Sequence, residues 1–280
     1  MKPPLFAYYR PNSVAEAVAR LAREEGAVPL AGGQSLIPML NMRLARPTTV
    51  VDLGGIADLQ GIDVSPDSIR LGARVTHAAL EKHGWPHGYE AIPEGVRQIG
   101  YGAIRNRGTV GGSLAHADPA AELPALMLAF GASIQLASPR GERSMVADDF
   151  FLGYYETARA SDEIITSVRI PVRDDLRSGF SELSRRRGDF AIALAVAVRW
   201  KEAGRTEARA VVGGLDVRPR RIPEVEEALV TGSELAITAD LLARHVHPAN
   251  DVHASAEYRL EVGAEMLRRA VWSMENREDS

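Results

Sequence analysis

Leu30-Ala31-Gly32-Gly33-Gln34-Ser35-Leu36-Ile37 closes a short apolar run, Val28 to Ala31, with two glycines and opens a helical pattern from Ser35 to Met42. A second stretch repeats the design: Gly108-Thr109-Val110-Gly111-Gly112-Ser113-Leu114-Ala115-His116-Ala117-Asp118-Pro119. Glycine has no Cβ, so it permits positive φ and lets a ligand approach the backbone closely. A hydroxyl residue follows each pair; Ser35 and Ser113 are expected to cap the next helix and leave its first amides free. Free amides at the positive end of a helix suit a phosphate. Two turns of matched design point to a dinucleotide held between them. Alone, Gly32-Gly33 reads equally well as a tight strand-to-helix turn without a ligand. Gly111-Gly112 lies among small polar residues that gain little by packing, which favours a ligand. Gly54-Gly55 and Gly213-Gly214 have no hydroxyl after them and read as plain turns.

Working outward, Ser13 to Glu25 reads as an amphipathic helix capped by Ser13, with Gly26 just past its end. Thr48 to Leu53 is a β-branched strand. Ile62-Asp63-Val64 and Ile69-Arg70-Leu71 flank the turn Ser65-Pro66-Asp67-Ser68, a hairpin signal. Helices are expected near Thr76 to His83 and over Ala120 to Phe130, and a hairpin turns at Ser138-Pro139-Arg140-Gly141. Ile164 to Val172 is a strand, and the polar break Arg173-Asp174-Asp175 marks a domain boundary. Beyond it come a strand near Phe180 to Arg185, an apolar run Phe190 to Trp200, and a strand Ala208 to Val212 that pairs with that run. The C-terminal third is helical, with Tyr258, Val262, Met266, Leu267 and Val271 spaced for one buried face. Short strands, hairpins and helices without regular strand–helix alternation make the class α+β. The expected division is residues 1–173, in subdomains of about 1–55 and 56–173, followed by residues 174–280. Neither glycine turn matches G-x-G-x-x-G or the phosphate loop ending in Gly-Lys-Ser/Thr, which disfavours nicotinamide enzymes and ordinary ATPases.

A chain of 280 residues is long enough for two domains, and a net charge of −4 offers no basic surface to nucleic acid. No apolar run approaches the roughly 18–20 residues that span a bilayer. The opening Met1 to Arg10 has no signal-peptide hydrophobic region, so a cytoplasmic location is expected, with the inner face of a membrane reached only through a complex. Cysteine is absent. That excludes a disulfide, a cysteine-ligated zinc or iron–sulfur site and a cysteine nucleophile, so redox chemistry here needs an organic cofactor. The seven histidines show no metal-ligand spacing with carboxylates, and His116 reads as a satisfied loop residue.

Two further segments carry chemistry. Asp118 and Glu122 are placed to accept hydrogen bonds from sugar or ribityl hydroxyls, although Asp118 serves equally as the cap of the next helix. Arg185-Arg186-Arg187-Gly188-Asp189-Phe190 reads either as a charged strand end before a core strand beginning at Phe190, or as a glycine turn that lays Phe190 over a flat ring. Stacking of that kind contributes about 0.5–1.5 kcal/mol beyond area burial. Asp189 then lies close enough to influence the ring.

Together these segments resemble the FAD-binding medium subunit of the molybdenum hydroxylases, the xanthine dehydrogenase and aerobic carbon monoxide dehydrogenase family. Ala31-Gly32-Gly33-Gln34-Ser35 resembles the family's first pyrophosphate loop, and Ile104-Arg105-Asn106-Arg107-Gly108-Thr109-Val110-Gly111-Gly112-Ser113 its second. Asp118-Pro119 continues the pattern, and Gly188-Asp189-Phe190 matches the place where the family sets an aromatic residue, usually tyrosine, against the flavin. The likeness extends from Phe6-Ala7-Tyr8 to Ser255-Ala256-Glu257-Tyr258-Arg259. It implies a two-subdomain FAD-binding domain of the vanillyl-alcohol-oxidase type, followed by a smaller domain with a three-stranded antiparallel sheet and helices. It also implies FAD contacts from Ala31, Gly32, Gly33, Gln34, Ser35, Leu36, Ile104, Thr109, Gly111, Gly112, Ser113, Ala115, Asp118, Glu122, Asp189 and Phe190, with no metal ligand and no acid–base pair. The implied role is an FAD-dependent oxidoreductase subunit. It takes electrons from [2Fe–2S] clusters on a small partner and passes them on, while molybdopterin sits on a large partner, the whole forming a dimer of heterotrimers. Gln34 stands where covalent flavoproteins of this wider fold place their linking histidine, so FAD is expected to bind non-covalently. Two alternatives share these features: a stand-alone flavin reductase or oxidase, and a flavin-fold scaffold without redox activity.

Overall fold

Three parallel strands carry the first glycine turn. In the computed structural model, which describes residues 2–277, β1 (Ala7–Tyr9), β2 (Ala27–Leu30) and β3 (Thr49–Asp52) form a sheet in the order β1-β3-β2. Helix α1 (Val14–Arg23) starts where the Ser13 hydroxyl accepts the Glu16 amide at 3.2 Å. Its Ala17, Val18 and Leu21 pack on Val51, Leu53, Ile56 and Leu59, and also on Ala137 and Ile164 of the next layer. That shared cluster fixes the first subdomain on the second. Burial of each such large side chain is worth about 1.5–3 kcal/mol. The short helix α2 (Leu36–Asn41) leaves the turn.

The second subdomain is an antiparallel sheet backed by helices. β4 (Ile62–Val64) and β5 (Ser68–Gly72) form the expected hairpin, as do β6 (Ser133–Ser138) and β7 (Gly141–Val146). A small ribbon of β8 (Phe151–Gly153) and β9 (Glu156–Thr157) precedes β10 (Ile164–Pro171), and the large sheet runs β4-β5-β10-β6-β7. Helices α3 (His77–Lys82), α4 (Ala91–Gln98), α5 (Gly102–Arg105), α6 (Val110–His116), α7 (Glu122–Ala129) and α8 (Ala147–Phe150) lie between its strands in sequence. Every residue of α7 is buried. An apolar circumference of this kind marks a helix surrounded by protein rather than one lying at a surface.

The C-terminal domain explains that burial. β11 (Asp174–Ser184), β12 (Ala191–Glu202) and β13 (Arg205–Gly213) form three long antiparallel strands, and the two-residue β14 (Arg220–Arg221) extends the sheet to four. β12 is buried on both faces. Its Leu194, Val196 and Val198 join α4 and α7 in the main core, while Ala193, Ala195 and Ala197 face the long helix α11. Helices α9 (Pro223–Thr231) and α10 (Ala239–Leu242) complete the outer layer, and α11 spans Ala256–Glu275. Small residues let α11 lie close: a Cβ at Gly179 of β11 would stand 2.1 Å from the Ala270 carbonyl oxygen. One core therefore runs across the domain junction. Arg209 reinforces the junction, donating to the Leu128 carbonyl at 2.7 Å and to Asp148 at 2.8 Å.

Several sequence expectations need correction. The helix expected from Ala120 begins at Glu122, because Asp118 spends its carboxylate on the Ala120 amide and holds a turn first. The buried face of α11 is made by Arg259, Gly263, Ala264, Met266, Leu267, Ala270 and Met274. Tyr258 is exposed, and Val262 and Val271 sit at the margin of the buried face. Phe190 lies outside the core strand, which starts at Ala191.

Candidate FAD site

The two glycine turns meet. A Cβ at Gly32 would fall 2.1 Å from the Arg107 carbonyl oxygen and 2.9 Å from Gly108 Cα, and one at Gly112 would stand 3.6 Å from Ala31 Cβ. Backbone therefore lies on backbone where Gly32 crosses the second turn, and only glycine fits. Gly33 adopts φ +75°, a left-handed conformation natural to glycine.

The turns differ in their donors. No hydrogen bond within the described residues engages the amides of Gly33, Gln34, Ser35 or Leu36. Ser35 was expected to cap α2, but it makes no such bond and its backbone is already helical. In the second turn the cap is Thr109, whose hydroxyl accepts the Gly112 amide at 3.1 Å, and Ser113 lies inside α6. There the amides are already used: Val110 donates to the Val75 carbonyl, Gly111 to Ala73 and Ser113 to Thr109. The expected free amides thus belong to the first turn alone. The second supplies hydroxyls and a close-packed glycine face.

The remaining expected residues gather near the second turn. α6 ends at Ala117 in a left-handed conformation, φ 51°. Asp118 is buried, accepts the Ala120 amide at 2.9 Å and accepts the Tyr155 hydroxyl at 3.2 Å. His116 belongs to α6 rather than a loop and lies against the Tyr155 ring, centroids 4.9 Å apart; burial lowers its pKa. Gly213-Gly214, read as a plain turn, braces this region: the Gly214 amide donates to the Pro119 carbonyl at 2.8 Å. Arg259, buried within α11, in turn donates to the carbonyls of Ile192 at 2.8 Å and Gly214 at 3.2 Å, and to Asp251 at 2.7 Å. Burial opposes the Asp251 charge, but the His253 and Ala254 amides and Arg259 hold its carboxyl down at about 2.

Glu122 opens α7 fully inside the protein. Burial, then repulsion from Glu182 of β11, pushes its carboxyl well above the usual range. Burial raises Glu182 to about 8, and among the described residues neither of its carboxyl oxygens has a hydrogen-bond partner. A neutral Glu122 donates a hydrogen bond as well as accepting one, which changes the acceptor role expected of it. Gly188, at φ +86°, turns the β11–β12 connection over Gly100, where a Cβ would meet the Gly100 carbonyl oxygen at 2.9 Å. Gly100 in turn packs on Ile104. Phe190, 65% exposed, and the exposed Asp189 follow directly from this turn, which Gly188 seats on Gly100 and so beside Ile104 of α5. Ala115 packs partly into the core. Tyr155, Glu182 and Arg259 were not singled out as site residues. A Tyr-Tyr ribbon, a glutamate within a strand and a helical arginine carry no local signature of a site.

These features fit FAD: an amide-bearing turn for phosphate, a glycine face against it, buried polar groups, and an aromatic side chain free to be covered. Comparison with known proteins decides the matter. Residues 4–173 match the family model of the FAD-binding domain in molybdopterin dehydrogenase, and residues 178–274 match that of the CO dehydrogenase flavoprotein C-terminal domain. The chain belongs to the FAD-binding medium subunits of the molybdenum hydroxylases. It is 38% identical to the nicotine 6-hydroxylase medium subunit of Paenarthrobacter nicotinovorans, covering 97% of this chain and 98% of that one. It is also 38% identical to the carbon monoxide dehydrogenase medium chain of Afipia carboxidovorans, covering 97% of both. The medium subunit superposes on the solved carbon monoxide dehydrogenase of Hydrogenophaga pseudoflava with a TM-score of 0.92, at 32% identity and 98% coverage of each chain. This medium subunit therefore carries an FAD-binding domain and is a component of an oxidoreductase complex. Among its described residues no helix is long and apolar enough to cross a membrane, and no group of three or more His, Asp or Glu is placed to hold a metal.

Proposed function

We propose that this medium subunit relays electrons through FAD, from [2Fe–2S] clusters on a small partner to an external acceptor, within a dimer of heterotrimers whose large partner holds molybdopterin. FAD supplies the exchange between one-electron and two-electron carriers. The chain's own residues bind, orient and shield it. The first turn gives its free amides at Gly33, Gln34, Ser35 and Leu36 to the phosphates, while Gly111, Gly112, Thr109 and Ser113 close the other side. Asp118 and the neutral Glu122 engage polar groups of the cofactor. Phe190 stacks on the ring beside Asp189, with Ile104 and Ala115 as apolar neighbours. FAD is held non-covalently. The observation that carries this reading is the meeting of the two turns at Gly32 and Gly108, too close for any side chain.

Co-expression of the three subunits and purification through a tag on this one tests it. The expected product contains FAD, molybdenum and iron, and its flavin bleaches when the hydroxylase substrate is added. A flavoprotein free of molybdenum and iron that reduces an acceptor alone points to the stand-alone reductase instead. A colourless complex points to the scaffold. Flavin that stays with acid-precipitated protein contradicts non-covalent binding.

A further inference from the structure

His77 opens α3 beneath the second turn and takes part in none of the contacts above. Its side chain is buried, and among the described residues neither ring nitrogen finds a hydrogen bond of good geometry. Its backbone amide donates to the Gly108 carbonyl at 2.9 Å, which brings the ring edge onto that glycine. A Cβ at Gly108 would stand 2.7 Å from the ring's Cε1 and 2.8 Å from Nδ1. Gly108 Cα also lies 2.9 Å from where a Gly32 Cβ would be. Imidazole, second-turn glycine and first-turn glycine thus form a stack without slack. A buried polar ring with no well-aligned partner is costly, so filling space does not by itself account for an imidazole here.

We propose that His77 is a positioning residue for the dinucleotide: uncharged, it props Gly108 against Gly32 and sets the spacing of the two turns, and protonated, it wedges them apart and releases FAD. This rests on the reading of the two turns as the FAD site. α3 packs on α4, α5 and the second turn. Of their charged groups Arg105 of α5 acts on the ring, opposing a second positive charge, and Arg105 is itself paired with Glu81 of α3 at 2.9 Å. Glu94 and Arg97 of α4, and Arg107 of the turn, exert no resolved effect on it. Burial is the largest influence, the Thr109 backbone only partly offsets it, and the ring is pushed down from 6.5 to about 4. The depressed value gives the sign: support for the closed turns is complete above 6.5 and is lost as the pH falls towards 4. FAD affinity is expected to fall by up to about tenfold per pH unit in that window.

The test titrates the purified flavoprotein, with its accompanying subunits, from pH 8 downward, following released flavin by fluorescence and the fold by far-ultraviolet circular dichroism. Wild type is expected to release FAD below pH 6.5 before its ellipticity changes, and His77→Gln to retain it. A second pair of variants holds even if that one fails to fold. Gly108→Ala is expected to lose FAD at pH 8, because its methyl strikes the ring, and His77→Ala with Gly108→Ala to recover affinity about tenfold or more. FAD bound at pH 8 with matching profiles for wild type and His77→Gln overturns this proposal alone, as does a double variant that recovers nothing. Absence of FAD at pH 8 from wild type overturns the site assignment and this proposal with it.

Discussion

The two glycine turns look alike in sequence and are built for different tasks. The first follows a parallel strand and, among the described residues, leaves four successive amides without partners and has no side-chain cap. The second is locked: Thr109 caps it, Val75 and Ala73 take its amides, and the C-terminal domain braces its exit at Pro119 through Gly214 and Arg259. One turn offers donors, and the other offers a rigid face at a fixed distance. A ligand that pays little reorganisation binds better, and the second turn is where that rigidity is supplied.

The largest test of this asymmetry is Arg259→Leu. It leaves the Ile192 and Gly214 carbonyls and the Asp251 carboxylate without their cation, at an expected cost of about 3 kcal/mol in denaturant unfolding. FAD affinity should fall as well, since the brace of the second turn is lost. An unchanged midpoint would show that the brace is not structural.

Next comes Glu182 of β11, whose carboxylate acts on Glu122 beyond the second turn. The Glu182 carboxyl is raised from 4.5 to about 8, so the folded protein holds a proton that the unfolded chain releases. Its contribution is fully present below 4.5 and is lost as the pH rises through about 8. Stability is expected to decline across that window by at most about 1.4 kcal/mol per pH unit. Glu182→Gln should flatten the decline in thermal melts recorded at stepped pH, and a slope equal to wild type contradicts a protonated Glu182.

Smaller still is the difference between hydroxyls. Thr109→Ala removes a cap and is expected to cost about 1 kcal/mol. Ser35→Ala and Ser113→Ala remove no cap and should stay within about 0.5 kcal/mol of wild type. Melting temperatures of the three variants decide it, and a Ser113→Ala loss as large as that of Thr109→Ala would refute the assignment.

Much of this was legible in the chain. Alternating and β-branched runs placed both hairpins of the second subdomain and two of the three long strands of the third sheet, and the Ser13 cap and Gly26 bounded α1. Of β11 only the half from Phe180 was placed, because its polar start at Asp174 and Asp175 reads as a break. The glycine pairs located both turns. Local spacing did not reveal which hydroxyl caps α6, since Thr109 and Ser113 differ only in whether the helix starts before or after the glycines. The face of α11 was read in part: Met266 and Leu267 are buried as expected, and Tyr258 lies outside the seam. That seam also runs through the small residues Gly263, Ala264 and Ala270, which a pattern of large apolar residues passes over. Partners distant in sequence, such as Tyr155 with Asp118, Glu182 with Glu122 and Gly214 with Pro119, depend on tertiary placement that no local pattern encodes.

The most direct measurement of the central claim is FAD binding by Gly33→Asp set beside Gly33→Asn, read from the flavin absorption of the purified complex with circular dichroism as the control for folding. Both side chains have the same size and both tolerate positive φ, so they differ chiefly in a negative charge set among the free amides of the first turn. The account predicts that Asn retains flavin and Asp loses it while both remain folded. Equal flavin content in the two folded variants would contradict it and place the phosphates elsewhere.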